Sequence, residues 1–218
     1  MLKDLHMRIG VMGGMFDPVH NGHLQLAQQV KQECQLDEIR LLPCGHPVHR
    51  NISVAAAEHR IRMLDLAAEN HAWLKVDRRE CNKAEPSYAY DTLAGIGAEC
   101  PQAALFFILG ADAFLSLDTW YRWRELTLLA HLIVASRPGY LLDDEMRNAG
   151  FMSAVSKQVT YSVADTIGVT AGRILLLDLS TPEVSSTQVR SAIFKGTNPE
   201  KLLDPAVLDY IKANKLYQ

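Results

Sequence analysis

The sequence has no long apolar run, no paired-cysteine motif, no standard nucleotide-binding fingerprint and little net charge, and each absence removes a class of function. No stretch of about 18 apolar residues occurs, so no transmembrane helix and no membrane partner are expected. The opening Met1-Leu2-Lys3-Asp4-Leu5-His6 mixes charges and holds no apolar core segment, so no signal peptide is expected and the location reads as cytoplasmic. The four cysteines (Cys34, Cys44, Cys81, Cys100) are widely spaced without C-x-x-C. They read as free thiols of a reducing compartment, with Cys44 accessible. A net charge of −3 gives no global attraction to nucleic acid or to an anionic membrane. Neither G-x-G-x-x-G nor G-x-x-x-x-G-K-[ST] is present, which argues against a dinucleotide dehydrogenase and a P-loop kinase. Repeats, low-complexity tracts and blocks of like charge are also missing.

What is present is an ordinary globular composition, 48% apolar and 22% charged over 218 residues, enough for one well-packed domain. Strand-like runs at 8–12, Glu38–Pro43, Leu74–Val76, Ala104–Leu109, His131–Ala135 and Arg173–Asp178 alternate with helical runs. The helical runs are 22–33, Ala56–Glu69, Tyr88–Cys100, Ala111–Leu117 and Trp123–Leu129, followed by Ser191–Phe194 and Asp204–Asn214. This alternation predicts an α/β, Rossmann-like, doubly wound parallel sheet with helices on both faces and C-terminal helices. Residues 1–218 are expected to form a single domain, with 140–172 reading as an insertion before the last strand. Ligands on such sheets bind at the carboxyl ends of the strands, where the strand order reverses. The segments that follow Met12, Leu42, Leu109 and Leu179 stand at such ends.

The first of these segments is Gly13-Gly14-Met15-Phe16-Asp17-Pro18-Val19-His20-Asn21-Gly22-His23. Glycines after a strand let the backbone approach a ligand closely. His20 and His23, three residues apart at the mouth of a helix, can point the same way. Free helix-start N–H groups, the positive end of the dipole and two imidazoles suit a phosphate, and beside a polyphosphate the charged imidazolium is favoured. Two other readings stay open on these residues alone: a plain strand–turn–helix connection, and a zinc site from His20, His23, His46 and His49, although Pro47 breaks helical spacing in the second pair.

A second segment, Pro182-Glu183-Val184-Ser185-Ser186-Thr187-Gln188-Val189-Arg190, follows an apolar strand. Its Ser and Thr residues suit a helix start, and Arg190 lies one turn beyond Thr187 with a guanidinium fork matched to phosphate oxygens. Alone, this segment reads equally as an ordinary cap with a surface arginine.

Together, G-G-x-F-D-P-x-H-x-G-H and V-S-S-T-x-x-R resemble the HxGH nucleotidyltransferase superfamily. Further segments narrow the resemblance: Pro43-Cys44-Gly45-His46-Pro47-Val48-His49-Arg50, Pro86-Ser87-Tyr88-Ala89-Tyr90-Asp91-Thr92, Leu109-Gly110-Ala111-Asp112, Thr119-Trp120-Tyr121 and Ser136-Arg137-Pro138-Gly139-Tyr140. In order and over nearly the whole chain they resemble bacterial nicotinate-nucleotide adenylyltransferase.

The resemblance implies transfer of AMP from ATP to nicotinate mononucleotide, giving deamido-NAD and pyrophosphate in NAD biosynthesis. It implies direct in-line attack with no covalent enzyme intermediate. Mg²⁺ would be held by the ATP phosphates, with no protein metal ligands. It assigns His20, His23, Thr187 and Arg190 to catalysis. Gly13, Gly14, Met15, Phe16, Gly110, Asp112, Arg137 and Ser186 join them in binding ATP. It assigns His49, Arg50, Tyr88, Ala89, Trp120 and Tyr121 to nicotinate mononucleotide: Trp120 stacks on the pyridine ring, and the N–H groups of Ala89 and Tyr121 take its carboxylate. Several positions depart from the family pattern, among them Cys44-Gly45 in place of a more polar loop. Met15 replaces Thr or Ser, Val48 replaces a proline, and Ala89 replaces a threonine. Another phosphate acceptor, such as nicotinamide mononucleotide or phosphopantetheine, is the alternative within the superfamily, and a non-catalytic nucleotide-binding regulator is the alternative outside it. A homo-oligomer is compatible with the sequence.

Overall fold

A computed structural model describes residues 7–45, 55–83, 85–136, 150–179 and 184–218. Its elements run β1 (Arg8–Gly14), α1 (Asn21–Glu33), β2 (Glu38–Pro43), α2 (Ala57–Ala68), β3 (Leu74–Val76), α3 (Ala89–Glu99), β4 (Ala104–Gly110), α4 (Ala111–Leu115), α5 (Leu126–Leu129) and β5 (His131–Ser136). They continue with α6 (Met152–Val155), β6 (Val159–Thr160), β7 (Ile174–Asp178), α7 (Ser186–Phe194) and α8 (Pro205–Ala213). The seven strands form one sheet in the order β3-β2-β1-β4-β5-β7-β6. β1 with β4, β2 with β3, β4 with β5, β5 with β7 and β6 with β7 all pair in parallel. The order reverses at β1, as expected of a Rossmann-like α/β sheet. Among the described residues no helix is long and apolar enough to cross a membrane.

By its contacts the chain divides into two compact units. One comprises Met1–Met12, Lys31–Glu38 and Tyr88–Ser180, the other Gly13–Val30, Ile39–Ser87 and Thr181–Gln218.

In the first unit, the run Ala-Leu-Phe-Phe-Ile-Leu of β4 is buried at every residue. A strand between two parallel neighbours is covered on both faces, so its sequence is continuously apolar instead of alternating. The register sets Arg8 opposite Ala104 and Phe106 opposite His131. Arg8, 8% exposed, lies over the Phe106 ring and donates from Nε to the Cys34 carbonyl (3.1 Å) and from Nη2 to Thr166 Oγ1 (2.9 Å). The residues described between 150 and 172 carry structure that the sequence reading did not: β6, paired with β7, and Thr166, wholly buried against Arg8. A two-residue strand is too short for its periodicity to show in sequence.

In the second unit, α2 buries Arg60, Met63, Leu64 and Ala67, a stripe at helical spacing. α8 packs against α2 and starts as predicted: Asp204 Oδ1 accepts from the Ala206 N–H at 2.8 Å, and Pro205 follows the cap. α7 begins at Ser186, at the helix start read in the Ser/Thr residues of the 182–190 segment and five residues before the helical run expected from residue 191. The reason is a capping box: Ser185 Oγ accepts from the Gln188 N–H (3.2 Å) while Gln188 Oε1 accepts from the Ser185 N–H (2.8 Å).

Candidate active site

The glycines Gly13 and Gly14 end β1, and the chain turns sharply after them. Phe16 adopts a left-handed backbone (φ 48°), is buried, and sets its ring edge-on to His23 with centroids 5.0 Å apart. A Cβ on Gly14 would stand 3.1 Å from Cζ of that ring, so the glycine lets the ring lie close against the turn. His20 stands immediately before α1 and His23 in its first turn, their rings stacked with centroids 3.7 Å apart and 24° between planes.

Burial sets the charge of this pair. His20 is 6% exposed, and burial lowers its pKa to about 4 against a smaller opposing effect of its own backbone hydrogen bond. Burial, and then the adjacent His20, lower that of His23 to about 3. The His20 N–H donates to Nδ1 of His23 at 3.3 Å, which puts the proton of the neutral ring on Nε2. Among the described residues Nδ1 of His20 has no hydrogen-bond partner although it is buried. Sequence alone predicted charged imidazolium beside a polyphosphate; the folded chain by itself holds both rings neutral, because two stacked, desolvated imidazoles resist protonation.

The second motif docks on the first. Ser186 Oγ donates to the Pro18 carbonyl (2.9 Å), and Arg190 Nη1 donates to the Asp17 carbonyl (2.7 Å). Arg190 Nη2 also donates to Thr187 Oγ1 at 3.2 Å. The start of α7, with Ser186, Thr187 and Arg190, is thereby joined to the loop that leads into His20 and His23.

Two residues of this site were missed in the sequence. Asp17 is 1% exposed; its Oδ1 accepts from the Ala55 N–H (3.1 Å) and the Tyr217 hydroxyl (2.6 Å), and its Oδ2 lies 3.7 Å from Arg190 Nη1. Arg60 is 2% exposed and donates to two carbonyls, from Nη1 to Met15 (2.9 Å) and from Nε to Ala55 (3.2 Å). Both left a signal. A carboxylate inside a loop suited to phosphate is an electrostatic contradiction unless it serves a cation, and an arginine in the apolar stripe of α2 must have partners indoors.

The first unit holds the other described candidates. Gly110 ends β4 and Asp112 stands exposed in the first turn of α4. Tyr88 precedes α3, and its ring meets that of Tyr121 at 4.8 Å, which joins the 88–89 segment to the 120–121 segment. The Ala89 N–H opens α3, where helix geometry offers it no internal acceptor, and among the described residues the Tyr121 N–H makes no backbone hydrogen bond. Trp120 is only partly buried and meets Phe107 edge to face at 6.3 Å, whereas the core tryptophan of this region is Trp123. Arg122 lies over the Tyr90 ring, 3.7 Å from its centroid, and pairs with Glu125. His49, Arg50 and Arg137, together with His46 of the zinc alternative, lie outside the described residues. Among the described residues no group of three or more His, Cys, Asp or Glu side chains is arranged to hold a metal ion.

Residues 11–192 match the Cytidylyltransferase-like family model, so this is an α/β nucleotidyltransferase of that class. A curated protein of Laribacter hongkongensis named "Probable nicotinate-nucleotide adenylyltransferase" is 43% identical over 214 residues, covering 96% of this chain and 94% of its own. One of the same name from Shewanella pealeana is 37% identical over 212 residues, covering 97% and 96%. The chain belongs to the nicotinate-nucleotide adenylyltransferase family. Its fold is also that of Plasmodium falciparum nicotinic acid mononucleotide adenylyltransferase, solved in complex with NaAD, at 20% identity with a TM-score of 0.70 over 97% of this chain and 98% of that one.

Proposed function

We propose that the protein transfers AMP from ATP to nicotinate mononucleotide, releasing pyrophosphate and forming deamido-NAD. The observation that carries this reading is the docking of α7 on the first motif through Ser186 to Pro18 (2.9 Å) and Arg190 to Asp17 (2.7 Å). It assembles two imidazoles, a hydroxyl-bearing helix start and a guanidinium within one compact unit. That set grips oligophosphate and offers no activated nucleophile.

In this reading a phosphate oxygen of the mononucleotide attacks the α-phosphorus of ATP. The bond to the β-phosphate oxygen breaks, and that oxygen takes the electron pair as pyrophosphate leaves. The ATP arrives with Mg²⁺ as part of the substrate. The chain's work is positioning and charge stabilisation. His23 donates from Nε2, and the buried His20 takes up a proton as phosphate charge comes near, since an opposite charge raises a histidine pKa. Thr187 and Arg190 hold the β/γ end, with Ser186 beside them. Gly13, Gly14, Met15 and Phe16 offer the nucleotide backbone groups, and Arg60 on the Met15 carbonyl steadies that stretch where the family's hydroxyl is missing. Gly110, Asp112 and Arg137 serve the adenosine side.

For the acceptor, Trp120 stacks on the pyridine ring, the Ala89 and Tyr121 N–H groups take the carboxylate, and Tyr88, His49 and Arg50 complete the subsite. A carboxylate held by two N–H donors favours the acid over the amide, whose own N–H₂ would face them. The reading takes residues 1–218 as one cytoplasmic catalytic domain, in keeping with the family match across both units. Incubation with ATP, Mg²⁺ and nicotinate mononucleotide tests it: one pyrophosphate should form per deamido-NAD, and no product would end the proposal.

A further inference from the structure

Beyond α8 the chain turns back to the first motif. Lys215 and Tyr217 both adopt left-handed backbones (φ 51° and 64°). Non-glycine residues persist there only where surrounding contacts over-determine them. The contact at Tyr217 is its hydroxyl, which donates to Asp17 Oδ1 at 2.6 Å. Burial, with Asp17 beside it, pushes the Tyr217 pKa far up, so the hydroxyl remains a donor at any working pH.

The consequence is felt at Arg190. Asp17 is buried, and a buried carboxylate beside a guanidinium would ordinarily close on it as a two-pronged pair. Here it does not. Oδ1 is occupied by the Tyr217 hydroxyl and the Ala55 N–H, and Oδ2 stays 3.7 Å from Nη1. Arg190 instead donates to the Asp17 main-chain oxygen, which carries no formal charge. The guanidinium is steered by Asp17 without being fully neutralised by it. We infer that Tyr217 is a positioning residue for this reaction: by holding Asp17 Oδ1 it keeps the carboxylate off Arg190 and leaves that cation free for phosphate. The inference rests on the proposed role of Arg190 in gripping ATP.

The test is Tyr217→Phe, which removes one oxygen, with Tyr210→Phe as control. Tyr210 lies on α8 and bonds His59 Nδ1 at 2.9 Å, away from Asp17. Tyr217→Phe should raise the KM for ATP about fivefold and lower kcat about tenfold, while the KM for nicotinate mononucleotide stays within about twofold. Tyr210→Phe should leave all three within about twofold, even if both variants melt a few degrees lower. In an Arg190→Ala background Tyr217→Phe should add less than about a twofold further loss, because the two act through one contact. Wild-type kinetics in Tyr217→Phe, or full additivity with Arg190→Ala, would overturn the inference while leaving the adenylyltransferase reading intact. Should the wild type fail to use nicotinate mononucleotide, that reading fails by itself, and calorimetric binding of a non-hydrolysable ATP analogue decides the role of Tyr217. About fivefold weaker binding by Tyr217→Phe supports it, and equal binding, or none by either protein, overturns it.

Discussion

The rings of His20 and His23 lie stacked, their centroids 3.7 Å apart, and the His20 N–H donates to Nδ1 of His23. The His20 backbone therefore orients the His23 ring, and in the proposed reading the two imidazoles act as a unit toward a phosphate. Replacing either by alanine should lower kcat by about 100-fold or more, the range for loss of a donor to developing charge. Because the rings act together, the double variant should fall well short of the product of the single effects. Steady-state kinetics of the three variants check this, and near-normal rates would remove both residues from catalysis.

The same pair makes stability depend on pH. The folded pKa values, about 4 for His20 and about 3 for His23, lie below the ordinary 6.5. Between pH 6.5 and about 4 the unfolded chain binds protons that the folded chain refuses, so stability must fall as pH falls through that window. Above pH 6.5 neither state binds them and the effect vanishes. Urea midpoints from pH 7.5 to pH 4.5 should therefore drop more steeply for the wild type than for a His20→Gln, His23→Gln double variant.

Trp120 is partly buried and in contact with Phe107, and the proposed reading has it stack on the pyridine ring. Stacking of a base on an aromatic side chain contributes about 1–3 kcal/mol, so Trp120→Ala should raise the KM for nicotinate mononucleotide roughly 5- to 150-fold with the KM for ATP nearly unchanged. An effect confined to ATP would contradict the assignment.

Gly45 admits no side chain. A Cβ there would lie 2.1 Å from the Glu80 carbonyl oxygen, which is backbone and cannot swing aside. Gly45→Ala should destabilise the fold by about 1–3 kcal/mol or more, read as a lower urea midpoint. Gly14→Ala meets only the edge of the Phe16 ring at 3.1 Å and should cost less in stability.

Much of the fold was legible because parallel strands write themselves as apolar runs: Glu38–Pro43 and Leu74–Val76 fall where the sequence sets them. β6 was not, since two residues between turns carry no period, and its place is fixed by pairing with β7. At the site, His20, His23, Thr187 and Arg190 could be read from spacing and from the motif pair. The partners of Asp17, Arg60 and Tyr217 could not, because they stand 173, 45 and 200 residues away in sequence. Their roles come from long-range hydrogen bonds, which no local pattern encodes. The lowered pKa of both histidines in the chain by itself was not legible for the same reason: burial decides it, and burial is a property of the fold.

The most direct measurement compares nicotinate and nicotinamide mononucleotides as acceptors, with ATP and Mg²⁺, by pyrophosphate release and product identity. The account predicts deamido-NAD from the acid, with a kcat/KM well above that for the amide. Equal or better use of the amide would contradict the carboxylate subsite at Ala89 and Tyr121, and no turnover of either would contradict the adenylyltransferase itself.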